Sequence, residues 1–218
     1  EYADCYERNE LQRIFRHTNP MLSAYLNVFD FKNDLLNRYF TQYVWQKLTN
    51  RIGSEFEEMV EDQAEKREYN AILPPRASCL EKISDRQTYA YFVDAMGAEY
   101  LGYIVDRCKQ LELLADIQVC RAEIPTITVR NKEFLEYFSQ KGIDCANVKD
   151  LDEYKHSGEN DYNYSLTRLP LHLPKELEVI DRILQKAKNY LMKEQFQQII
   201  LISDHGASRL AVIREHDL

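Results

Sequence analysis

The sequence predicts an α/β fold: a parallel sheet flanked by helices and preceded by an all-helical segment. Three observations carry this expectation. Residues 1–73 read as helical, whereas Tyr89-Ala90-Tyr91-Phe92-Val93, Ile117-Gln118-Val119-Cys120 and Ile199-Ile200-Leu201-Ile202 are short apolar runs suited to strands. Helical stripes separate those runs, and strands alternating with helices make parallel sheets covered on their faces. Between the two regimes stand Pro74 and Pro75, which disfavour helix and act as a stiff spacer. The chain therefore divides into a helical region, 1–75, and a sheet-bearing core, 76–218.

In chain order, Asn19-Pro20 interrupts the first helical stretch. Leu35, Leu36, Tyr39, Phe40, Tyr43, Val44 and Leu48 then draw an apolar stripe at three- and four-residue spacing. Arg51-Ile52-Gly53-Ser54 ends it. Glu55 to Glu68 is mostly charged, with Phe56, Met59 and Val60 as its apolar anchors, and reads as a solvated helix. Beyond the first strand, Leu101, Ile104, Val105, Cys108 and Leu111 form another helical stripe. Asn131 to Gln140 reads as a short helix around Phe134, Leu135 and Phe138. Pro174 announces a long amphipathic helix through Leu177, Ile180, Leu184, Ala187 and Leu191.

The 218 residues are 44% hydrophobic and 29% charged, the balance of an ordinary soluble globular protein. A net charge of -8 provides no basic stripe to displace phosphate counterions, so bulk nucleic-acid binding is not expected. No apolar run reaches membrane-spanning length, and no membrane partner is expected. The five cysteines are odd in number, scattered and free of CxxC pairing, which suggests free thiols and a cytoplasmic location. A start at Glu1 and a stop after Leu218 suggest a piece of a longer protein, incomplete at its C-terminus.

Candidate chemistry collects at the predicted strand ends. Asp94 terminates the first strand, and Ser203-Asp204-His205-Gly206 stands directly behind the last. In parallel sheets, sites form beyond the carboxyl ends of strands, so Asp94 and Asp204 are placed to meet. Carboxylate oxygen and neutral imidazole nitrogen both ligate zinc-like divalent ions. Pro125-Thr126-Ile127-Thr128 adds hydroxyls in a loop entering a helix. Asp152 and His156, four residues apart, would share a helical face. Each has a bland alternative: a helix cap for Asp94, Thr128 or Asn131, and a solvated loop for Asp152 and His156. Arg130 and Lys132 read as surface charge, and His17 and His172 as structural.

The order of these pieces resembles the alkaline phosphatase superfamily and, within it, the PglZ domain of bacterial BREX-type phage-exclusion systems. The resemblance covers about residues 88–210. Its strongest pieces are Phe92-Val93-Asp94-Ala95, Ile124-Pro125-Thr126-Ile127-Thr128 and Leu201-Ile202-Ser203-Asp204-His205-Gly206. It implies an alkaline-phosphatase-like core holding two divalent metal ions, zinc in the first instance with manganese as an alternative. Asp94, Thr128, Asp204 and His205 would bind one ion, with Thr128 rather than Thr126 as the nucleophile. Asp152 and His156 would bind the second. One more histidine usually completes that second set downstream; His216 lies too close to His205 to fit the spacing.

The implied function is a metal-dependent phosphoesterase, a phosphodiesterase by preference, acting on a phosphate ester in phage defence beside other defence proteins. The alternative is a catalytically weak or inactive scaffold of such a complex, motivated by the incomplete second metal set and the acidic helical arm. A sulfatase would need Cys or Ser where Thr128 stands.

Overall fold

The computed structural model describes residues 5–49, 52–80, 83, 87–124, 128–156 and 172–206. Its helical region comprises α1 (Arg8–Thr18), α2 (Pro20–Tyr25), α3 (Asp34–Thr49), α4 (Ser54–Lys66), α5 (Tyr69–Ile72) and α6 (Ala77–Leu80). Asn19-Pro20 both ends and restarts helix: proline takes the first position of α2, where a missing N–H costs nothing, and Asn19 Oδ1 accepts from Leu22 N–H at 3.3 Å. In α4 only Phe56 is buried, in keeping with a solvated face.

The sheet follows, in the order β1 (Thr88–Val93), α7 (Leu101–Gln110), α8 (Glu133–Lys141), β2 (Asp144–Val148), α9 (Asp150–His156), α10 (His172–Met192) and β3 (Gln198–Ile202). All three strands are parallel, in the spatial order β2-β1-β3. The coarse expectation, a mixed α/β chain with a parallel sheet flanked by helices, describes what is observed. Register pairs Val93 with Val148 and Phe92 with Ile202, so the strands end nearly level.

One predicted strand is not there. Ile117–Cys120 adopts no regular structure; just beyond it, Arg121 makes an isolated bridge to Pro75, its N–H donating to the Pro74 carbonyl at 3.1 Å. The second strand is Asp144–Val148. It carries Asp144 and Asn147, pairs along one side with β1, and is only partly buried, so its residues were never selected to look apolar. The expected free thiols need a correction too: Cys79 of α6 and Cys120 form a disulfide, while Cys5, Cys108 and Cys145 remain free.

Strand alternation divides the core. Tyr89, Tyr91 and Val93 face a cluster that includes Tyr25, Val44, Tyr103, Leu151, Leu177 and Ile180, drawn from both sides of residue 75. Ala90 and Phe92 face a smaller one with Leu80, Phe134, Phe138 and Ile143. Gly102 allows close contact between the helical region and α7: a Cβ there would stand 1.7 Å from the Asn27 carbonyl oxygen. Behind the sheet edge lies a buried ionic joint. Lys47 Nζ of α3 reaches Glu176 of α10 at 3.0 Å and Glu99 at 3.4 Å, and Tyr100 Oη donates to Glu176 at 2.6 Å. Among the described residues, no helix is long and apolar enough to cross a membrane.

Candidate metal centre

The order 2-1-3 makes the C-terminal ends of β1 and β3 neighbours, the place where doubly wound sheets hold their ligands. Asp94 follows Val93, and its N–H donates to the Val148 carbonyl at 3.0 Å, which carries the pairing one residue past the strand. Ala95 then turns the chain with φ +60°, a left-handed conformation costing a non-glycine residue roughly 1–2 kcal/mol. The turn brings the two strand ends together. Ala95 N–H donates to Asp204 Oδ1 at 3.2 Å, and Met96 N–H to Ser203 Oγ at 3.0 Å. Ser203 Oγ in turn donates to the His205 carbonyl at 3.0 Å.

Thr128 opens a short 3-10 turn (Thr128–Arg130) in the connection from α7 to α8. Its hydroxyl donates to Asp94 Oδ1 at 3.4 Å and lies 3.2 Å from His205 Nε2. His205 Nε2 is also 3.1 Å from Asp204 Oδ2 and 3.9 Å from Asp94 Oδ1. Ligand atoms of Asp94, Asp204 and His205 all fall within 4.8 Å of one another. A tetrahedral ion with bonds of about 2.1 Å holds its ligand atoms about 3.4 Å apart. These spacings therefore bracket what such an ion requires.

A second observation bears on the fit. Asp204 Oδ2 is buried and receives no hydrogen bond, an arrangement that is costly for a carboxylate unless a cation takes that place. The Asp94 carboxyl is held above its ordinary pKa, chiefly by burial, then by the charges of Asp204 and Asp152. Among the described residues, no lysine or arginine is ion-paired with Asp94 or Asp204. Two carboxylate oxygens and an imidazole nitrogen, with the Thr128 hydroxyl beside them, are donors of the kind that could hold a metal ion.

No family model, curated protein or solved structure matches this chain.

The structure thus brings together Asp94, Thr128, Asp204 and His205. Asp152 lies in α9, half-buried and near enough for its charge to act on Asp94. The side chain of His156, at the end of α9, lies outside the described residues, as do Pro125, Thr126, Ile127 and His216. Arg130, Lys132 and His17 are exposed. Asn131, expected as a helix cap, ties two separate segments together. It is fully buried, its Oδ1 accepts from Glu123 N–H at 2.8 Å and from Arg76, and its Nδ2 donates to the Glu123 carbonyl at 3.3 Å. Sequence reasoning missed Arg76 and the Lys47–Glu99–Glu176 joint. Neither has a local signal, because their partners lie 52 or more residues away in the chain.

Proposed function

We propose that this chain carries a metal-dependent phosphoesterase site, of phosphodiesterase type, with Thr128 as nucleophile. Its motifs and their order resemble those of the PglZ domain of the alkaline phosphatase superfamily, and on that resemblance the full protein would act in bacterial phage defence. The single observation that carries the reading is the meeting of Thr128 Oγ1 with Asp94 and His205 at hydrogen-bonding distance, with Asp204 in turn beside His205. Those residues come from three separate stretches of chain, and capping roles would not require them to converge.

In the reading, Asp94, Asp204 and His205 would hold one divalent ion, and Asp152 with His156 would contribute to a second. The chemistry such an ion would supply is a lowered pKa for the threonine hydroxyl and an offset to the negative charge of a phosphate ester. Thr128 Oγ1 would give its proton to water and form a bond to phosphorus, while the ester oxygen departs with the bonding electrons and takes up a proton from water. Water then cleaves the phosphothreonine and restores the hydroxyl. Asp94 and His205 keep Thr128 Oγ1 facing the donor set, and the backbone N–H of Ala95 keeps Asp204 from turning away.

The test is hydrolysis of bis(4-nitrophenyl) phosphate by the zinc- or manganese-loaded protein. Thr128→Ala is expected to reduce kcat by at least about 1,000-fold. An active wild type whose rate survives that change would refute the nucleophile assignment. Failure to take up zinc at all would refute the enzyme reading and favour a scaffold.

A further inference from the structure

Arg76 has no place in the chemistry above, yet it is the buried cation that touches both halves of the site from behind. It follows Pro75 at the entrance to α6 and is 7% exposed. Its guanidinium donates to Asn131 Oδ1, to the Asp204 carbonyl at 3.4 Å and to the Arg130 carbonyl at 3.4 Å, and it pairs with Glu133. Its plane lies over the Phe134 ring, 5.1 Å from the centroid. Asn131 carries the link further: it holds Glu123 by both main-chain groups, and its own N–H donates to the Thr128 carbonyl at 3.0 Å. The loop bearing Thr128 is therefore closed at its base by Asn131, and Asn131 is fastened to the Asp204 strand end by Arg76.

We propose that Arg76 is a positioning residue that sets the Thr128 hydroxyl against the Asp94–Asp204–His205 donor set; this rests on reading Thr128 as the nucleophile. Among the described residues, Thr128 and Asp204 belong to segments joined by no strand pairing. Within the donor set, among the described residues, Thr128 is held by a long hydrogen bond to Asp94 and the approach of His205. A planar fork can address a side-chain oxygen and two carbonyls in different segments at once. A lysine ammonium is a point charge on a flexible stem and cannot hold all of them in one geometry. A displacement of Thr128 by about 1 Å is enough to cost on the order of 100-fold in rate.

The experiment compares wild type, Arg76→Lys, Arg76→Ala and Thr128→Val, each loaded with cobalt(II). Readouts are cobalt affinity by chelator competition, the visible absorption of the bound cobalt, and kcat and KM on bis(4-nitrophenyl) phosphate. Asp94, Asp204 and His205 remain in the Arg76 variants, so cobalt affinity is expected to fall by no more than about 10-fold. Cobalt absorption should shift to that of Thr128→Val. The kcat should fall about 100-fold with KM little changed, and millimolar guanidinium should restore much of it to Arg76→Ala. If Arg76→Ala does not fold, Arg76→Lys gives the same readouts without the rescue. An Arg76 variant that keeps the wild-type cobalt spectrum and kcat overturns the proposal, and so does a wild type that binds no cobalt. A wild type that binds cobalt and turns over nothing sinks the phosphoesterase reading alone. The spectra of the variants then still decide the role of Arg76.

Discussion

The donor set at the sheet edge and the ionic joint behind it each bury two carboxylates, and they differ in what neutralises them. In the joint, Glu99 and Glu176 share Lys47, whose side chain is 1% exposed, and Tyr100 supplies a further hydrogen bond. In the donor set, among the described residues, Asp94 and Asp204 have the His205 imidazole and the neutral donors Thr128 Oγ1 and Ala95 N–H beside them, and no lysine or arginine pairs with either. The two lie close together: a Cβ on Gly206 would come within 3.9 Å of Glu99 Oε2. A buried carboxylate pair with its own lysine is a structural joint between helices. The donor-set pair has no such lysine among the described residues, and in the proposed reading a divalent cation takes that place.

That contrast can be broken or sharpened by substitution. The largest effect is expected at the donor set: Asp204→Asn should weaken zinc binding by more than about 100-fold, since loss of a supporting partner alone costs 10–100-fold. Competition with a chromophoric chelator measures it, and an affinity within a few-fold of wild type breaks the comparison. Next comes the joint. Lys47→Met leaves Glu99 and Glu176 buried without their cation and should cost about 3–5 kcal/mol in urea unfolding. A loss below about 1 kcal/mol would mean that water or another group does the neutralising.

A smaller effect is expected where the two regions touch. Gly97→Ala puts a methyl 1.9 Å from Glu99 Oε2, so the carboxylate must leave its place beside Lys47. Overpacking of this kind costs typically about 1–3 kcal/mol, and thermal unfolding would show it. An unchanged Tm would mean that Glu99 moves freely and the joint is loose.

The smallest effect is one of pH. Because the Asp94 carboxyl is held above its ordinary pKa, the folded chain binds more protons than the unfolded one between the ordinary and the raised values. Its contribution to the stability of the metal-free protein is thus fully present below the ordinary carboxylate pKa and is lost as pH rises through the raised one. Asp94→Asn should flatten that dependence and raise the Tm of the chelator-treated protein at neutral pH. Metal affinity, which needs the ionised carboxylate, should rise over the same window in wild type. Scanning fluorimetry with EDTA across pH 4–8 checks the first part. A steeper loss in the variant would overturn the assigned cause.

Local pattern was enough for the helical first region, for β1 and β3, and for the placing of Asp94 and Asp204-His205 beyond strand ends. Those features rest on periodicity and on the abrupt change from apolar run to acid and imidazole, both carried by neighbouring residues. The edge strand β2 escaped because a partly buried strand has no need of the apolar pattern, and Ile117–Cys120 had the pattern without a partner. Tertiary structure alone decided the order β2-β1-β3, which makes Asp94 and Asp204 neighbours. It alone assigned Lys47 to one carboxylate pair and, among the described residues, paired no lysine with the other. Charge compensation inside a protein acts across a few ångströms of space, and Lys47 is 52 residues from Glu99 in the chain. No local reading of sequence can measure that distance.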